Sequence, residues 1–289
     1  MDQVVIVKYK GDLEQSLREG INLIDGFKTL KSPFVIKPNI CVGVDKTGYA
    51  NTRVEIVEAL INVALKKDDT LSIRIVESDS ESKYVDEAFE KFGYNRLVER
   101  LTDSGCDVAC VNLSRDPKVK VEFKGDYFED PELHEVLRKS GFFVSLAVAK
   151  THGLTLITGV LKNLFGLLPK KGKRSYHPKI NEVFIDVNRI VKSDLCIIDG
   201  KVGLEGWGGL EPNPVLRNIN SLIIGKKPLS VDSTMARIMG FDPKIIRHLV
   251  LAEKYDLGTF HPEIRGESLE SSIIAFDEPL SLSSTATLR

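Results

Sequence analysis

Short, unbroken apolar runs recur along the chain at residues 4–7, 34–36, 71–76, 108–113, 142–149, 195–198 and 222–224. Runs of this length without polar alternation predict strands covered on both faces. Between them, apolar residues fall at helical spacing over 13–23, 54–65, 85–92, 133–138, 156–168, 180–191 and 230–239. Strand and helix therefore alternate, and the chain is expected to be an α/β protein: a mostly parallel sheet with helices on both faces, in one lobe or two. Thr52 with Glu55 has the spacing of a capping box, Asp242 before Pro243 marks another helix start, and Gly240 marks a helix end. No repeat or low-complexity linker divides residues 1–289, which are expected to form a single unit with a loosely held tail over 281–289.

Composition narrows the partners. Forty basic against forty-one acidic residues leave a net charge of -1, so nothing in the overall field draws in nucleic acid or an anionic membrane surface. The N-terminal residues lack a basic segment followed by an apolar core and a cleavage site, and no stretch of spanning length is apolar, which together predict a cytoplasmic protein without a membrane segment. Cys41, Cys106, Cys110 and Cys196 lack the Cys-x-x-Cys spacing of zinc or cluster sites, so reduced thiols and no iron-sulfur cluster are expected.

In open parallel sheets, ligands sit beyond the carboxyl ends of the strands. Four predicted strand ends carry functional groups here: Lys37-Pro38-Asn39, Glu77-Ser78-Asp79-Ser80, Lys150-Thr151-His152-Gly153 and Asp199-Gly200. Any one of them reads better as an ordinary polar turn; the four together favour a site. The segment 156–168 reads as a broadly apolar helix with Thr155, Thr158, Gly159 and Lys162 on a narrow stripe. A buried Lys162 needs an anion or carboxylate beside it, unless its stem carries the ammonium out to solvent. Asn163 either supports the same site or hydrogen-bonds backbone. Lys170-Lys171-Gly172-Lys173-Arg174 reads as a surface loop, either a lid over the site or a solvated face. His152 and His177 suit acid/base work, metal ligation or phosphate contact, and spacing does not separate these roles. Glu205 and Trp207 lie among four glycines in residues 203–209, a pattern equally suited to close ligand approach and to a tight turn. Asp232, near a predicted helix start, is explained by the helix dipole alone.

Taken together, Lys37-Pro38-Asn39, Ala149-Lys150-Thr151-His152, Leu161-Lys162-Asn163-Leu164-Phe165-Gly166, His177, Ile198-Asp199-Gly200, Glu205-Gly206, Val231-Asp232 and Met239-Gly240 resemble the family called domain of unknown function 362 over nearly the whole chain. Many members carry a ferredoxin-like extension with Cys-x-x-Cys-x-x-Cys runs; this chain does not, so no cluster is carried over. The family is in turn similar to the nickel-dependent lactate racemase group, which implies a Lys- and His-lined pocket for an anionic small molecule and leaves a divalent metal open. The resulting expectation is an enzyme acting on a carboxylated or phosphorylated small molecule. His152, Lys162 and His177 are the catalytic candidates. Lys37, Asn39, Lys150, Thr151, Asn163, Asp199 and Glu205 are the ligand-binding candidates. The competing expectation is a non-catalytic cofactor-binding or redox-accessory protein that serves a separate redox partner.

Overall fold

The computed structural model describes residues 1–168, 172–208 and 214–279, so the expected tail over 281–289 and the lysines at 170 and 171 lie outside the described residues. The strands are β1 (Gln3–Lys8), β2 (Phe34–Pro38), β3 (Ile73–Glu77), β4 (Val108–Asn112), β5 (Lys118–Lys120), β6 (Glu132–His134), β7 (Phe142–His152), β8 (Leu156–Thr158), β9 (Leu195–Glu205), β10 (Val215–Arg217), β11 (Ser221–Gly225) and β12 (Glu263–Gly266). The helices are α1 (Leu13–Leu23), α2 (Val54–Leu65), α3 (Val85–Lys91), α4 (Tyr94–Asp103), α5 (Glu135–Arg138), α6 (Val160–Asn163), α7 (Ile180–Ile190), α8 (Pro228–Ile238) and α9 (Arg247–Lys254).

The main sheet has the order β12-β1-β11-β9-β7-β2-β3-β4, with β8 added to β7 and β10 to β9. Strands β9, β7, β2, β3 and β4 are mutually parallel, while β11 runs antiparallel to both β9 and β1. The two most apolar runs, in β7 and β9, are interior strands, as unbroken burial requires. Successive side chains point to opposite faces. Phe34, Ile36, Ile75, Phe142, Val144 and Ile197 pack under α1 to α4, whereas Ala147, Ala149, Cys196 and Ile198 pack under α6, α8 and α9 and Val35, Val76 and Phe143 under α7. No helix among the described residues is long and apolar enough to cross a membrane.

Four local expectations are corrected. Residues 156–168 are not one helix: 156–158 pair back on β7 as β8, and only then come α6 and a 3-10 turn over Leu164–Leu167. Tertiary pairing overrides the periodicity, and Leu156 at φ +64° makes the return. Residues 132–134 are likewise strand β6, ahead of the single turn α5. Thr52 is not a cap, because its hydroxyl accepts from Asn39 N at 2.8 Å and donates to Leu146 O at 3.0 Å, fastening the end of β2 to β7. Helix α4 was absent from the predicted elements although Tyr94, Leu97 and Leu101 bury one face of it. Asp242 does cap, accepting from Lys244 N, and Gly240 does end α8 with φ +85°.

Candidate functional site

A cavity of about 380 Å³ opens at the carboxyl ends of β2, β3 and β7. The chain reaches it five times: at the end of β2, at the end of β3 and in the loop that follows, along the end of β7 with its return through β8 and α6, at Lys173 and its neighbours, and after β9 at Trp207 and Gly208. Of the sequence candidates, Lys37, Asn39, Lys150, His152, Lys162, Asn163 and His177 line it. Thr151, Asp199 and Glu205 are placed elsewhere. Thr151 faces the opposite way on β7, its hydroxyl accepting from Gly206 N at 2.7 Å. Asp199 is tied to Arg53 at 2.9 Å and to the Tyr9 hydroxyl, and Glu205 to Arg217 at 2.8 Å.

The lining is built from charge. Lys37 and Glu77 are almost fully buried and pair at 2.7 Å, with Lys83 3.7 Å from the other carboxylate oxygen. Burial alone would raise the Glu77 carboxyl, but Lys37, Lys83 and Lys173 together hold it below the usual carboxylate range. Gly166 must lack a side chain here, since a Cβ would lie 2.8 Å from both the Glu77 carboxylate and Lys37 Cε. Asn163 bridges this pair to the next group: its amide nitrogen donates to Lys37 O at 3.0 Å and to Ser145 Oγ at 3.1 Å, while its oxygen accepts from Asn39 at 3.3 Å. Lys150, 1% exposed, donates to Asn39 Oδ1 at 2.8 Å, Ala50 O at 2.7 Å and Cys41 Sγ at 3.0 Å. Lys173, which charge alone assigned to a surface loop, is 4% exposed and donates to Ser78 Oγ at 2.6 Å and Gly166 O at 3.2 Å.

Lys162 differs from all of these. Among the described residues its ammonium has neither a hydrogen-bond nor an ion-pair partner, and burial followed by repulsion from Lys150 lowers its pKa to about 8. Thr158, which sits opposite Lys150 in the β7–β8 ladder, lines the same cavity with a buried hydroxyl that has no partner. Both groups lie where a ligand atom would meet them. Their position is inherited from Asp232, whose fully buried carboxylate accepts from Val160 N at 2.7 Å and Leu161 N at 2.9 Å and so pins the start of α6. Gly159 admits that carboxylate, as a Cβ there would be 2.1 Å from Asp232 Oδ1. Asp232 thus has a positioning role that a helix-dipole explanation did not anticipate.

His152 Nδ1 accepts from Leu154 N at 3.2 Å, which puts the proton of the neutral ring on Nε2. Burial and the charge of Lys162 keep the imidazole neutral well below the ordinary histidine range. His177 is exposed at the rim and is lowered by burial of its ring and by Lys162. Cys41 and Lys83 were not among the predicted site residues, and Glu77 was read only as part of a polar strand end; Glu77 closes β3 and the other two lie within six residues after a strand end, the position where α/β ligands collect. Among the described residues no three His, Cys, Asp or Glu side chains gather as a metal-ligand set.

The profile of the family described as Domain of unknown function (DUF362) matches residues 34–237. The chain belongs to the DUF362 family. Every residue that lines the cavity falls inside that DUF362 segment. A thylakoid-associated protein of Synechocystis sp. is 23% identical over 271 residues, a stretch that covers 88% of this chain and 78% of that protein. The lactate racemase apoprotein from Thermoanaerobacterium thermosaccharolyticum aligns with a TM-score of 0.42 at 11% identity, over 75% of this chain and 53% of the racemase. The chain therefore spans about half of that enzyme's length.

Proposed function

We propose that this DUF362 protein is an enzyme that binds a carboxylated or phosphorylated small molecule in the cavity, with Lys162 as its anchoring cation. The observation that carries the reading is that the Lys162 ammonium and the buried Thr158 hydroxyl line one cavity and neither has a partner among the described residues. An unmet buried donor costs about 1–3 kcal/mol, and a ligand anion that reaches both the half-buried Lys162 ammonium and the buried Thr158 hydroxyl supplies both missing contacts at once. The lining as a whole supports this. Among the described residues it holds six cationic side chains, Lys37, Lys83, Lys150, Lys162, Lys173 and Arg174, against two carboxylates, Glu77 and Glu81.

The chemistry available follows from the protonation states. A neutral His152 bearing its proton on Nε2 acts as a hydrogen-bond donor that polarises a carbonyl or steadies an oxyanion, not as a base at that nitrogen. Lys162 and Lys173, lowered chiefly by burial to about 8 and about 7, are the groups poised to take or return a proton near neutral pH. Proton transfer on a bound anionic substrate is therefore the reaction class that these residues suit.

Isothermal titration with inorganic phosphate and acetate tests the reading. Wild-type protein should bind at least one of them, and Lys162→Ala should weaken that binding by about 1.5–3 kcal/mol, the worth of a charge-assisted hydrogen bond. Equal affinities in the two proteins would defeat it.

A further inference from the structure

The donors left over in the cavity fall into two groups. An ammonium has three N–H donors. Those of Lys150 are matched by Asn39, Ala50 and Cys41, and those of Lys37 by Pro38 O, Glu77 and Asn163 at 3.4 Å. Lys162 has all three free among the described residues. Lys173 spends two on Ser78 Oγ and Gly166 O, and Lys83 spends one on Ser78 O at 2.5 Å. Lys83 and Lys173 thus grip the same serine from two sides and together keep unspent donors at the cavity wall. The matched groups, the Lys37–Glu77 pair, Asn163 and Asn39, form a continuous hydrogen-bonded partition that runs from Glu77, beside Lys83, to Lys150, the lysine whose charge acts on Lys162. Burial lowers both Lys162 and Lys173, but the charged neighbours differ: Lys150 and Cys41 act on Lys162, and Glu77, Lys83, Lys37 and Glu81 on Lys173.

Resting on the proposed anion site, we infer that its ligand carries two anionic groups on separate atoms, one held by Lys162 and Thr158, the other by Lys83 and Lys173. A single carboxylate or phosphate leaves one pole unmatched. A dicarboxylate or a phosphorylated carboxylic acid, spanning the partition, satisfies both. The second attachment is then intramolecular and adds affinity without any new kind of contact.

The test is a titration series on the wild-type protein using acetate, inorganic phosphate, and the straight-chain dicarboxylates from malonate to adipate. Phosphate controls for charge, since its two charges share one phosphorus. One dicarboxylate length should bind about 10-fold or more tighter than acetate and phosphate, with affinity falling on either side of it. Lys173→Met, checked for an unchanged melting profile, should bring that compound down to the level of acetate. Acetate and phosphate binding with no gain at any dicarboxylate length would overturn the two-pole arrangement and leave the single-anion reading standing. Absence of binding by every compound in the series would instead defeat the anion site itself. The wild-type series decides even if the Lys173 variant does not fold.

Discussion

His248 offers a direct measure of how dry the interior beneath the cavity is. Its ring is fully buried, meets Phe184 edge-on with centroids 5.6 Å apart, and has no hydrogen-bond partner for either nitrogen among the described residues. Burial, reinforced by Lys162, lowers its pKa from 6.5 to about 3. Between those values the unfolded chain binds a proton that the folded one refuses, so stability is full above pH 6.5 and is lost as pH falls toward 3. At about 1.4 kcal/mol per pH unit, this one imidazole removes about 3 kcal/mol by about pH 4. His248→Leu keeps an apolar group of similar bulk and takes away both nitrogens. Urea unfolding of wild type and variant at about pH 7.5, 5.5 and 4, followed through the single tryptophan, Trp207, gives the difference in stability at each pH. The variant should gain on the wild type by about 3 kcal/mol between about pH 7.5 and pH 4. Asp232 works in the opposite sense: burial raises its carboxyl to about 7, so its contribution is present below 3.8 and is lost as pH rises through 7. Both proteins share that slope, and it cancels in the difference. Identical pH dependence in the two proteins would refute a neutral, desolvated His248.

Anion binding should also be read in protons. A bound anion raises the depressed pKa of Lys162, so titration of phosphate near pH 8.5 in buffers of different ionisation enthalpy should show proton uptake by the wild type and less by Lys162→Ala. Cys41 Sγ lies 3.0 Å from Lys150 Nζ on the cavity wall, so phosphate or acetate should protect it from iodoacetamide, with peptide mass spectrometry separating it from Cys106 and Cys110; equal labelling with and without anion would place the ligand elsewhere. Asp232→Ala strips the acceptors from Val160 N and Leu161 N and should cost about 2–4 kcal/mol in urea unfolding while weakening phosphate binding, and Asp232→Asn, which keeps one acceptor, should recover much of both.

The sheet was legible in the sequence because strands buried on both faces must be apolar at every position, and the interior placement of β7 and β9 follows from that rule. The cationic cluster was legible in part for a similar reason: Lys37, Lys150 and His152 end apolar runs, and strand ends face one edge of a parallel sheet. What sequence did not reveal depends on contacts between distant segments. Residues 156–158 carry helical spacing yet become β8, because Lys150, Thr151 and His152 offer an unpaired edge to return on. That error matters chemically. Thr158 faces the cavity through cross-strand pairing with Lys150, not through a helical stripe. Lys173 read as a surface-loop residue, on a lid or a solvated face, because one-dimensional charge patterns carry no record of Ser78, which lies 95 positions away and binds its ammonium. Asp199 ends its run as the other candidates do, but it is committed to Arg53 and Tyr9.

The five visits the chain makes to the cavity are widely separated: residues 37–41, 77–83, 150–166, 173–177 and 207–208. No isolated fragment contains the pocket, which exists only when β2, β3 and β7 are paired in register. A ligand that bridges these segments consequently acts as a cross-link on the entire sheet and shifts global unfolding, not local fraying. At about 100 times its dissociation constant such a ligand adds about 2.7 kcal/mol to the folded state. The melting temperature of the intact chain is therefore a detector of the natural ligand that needs no knowledge of the reaction, and a metabolite library can be screened against it.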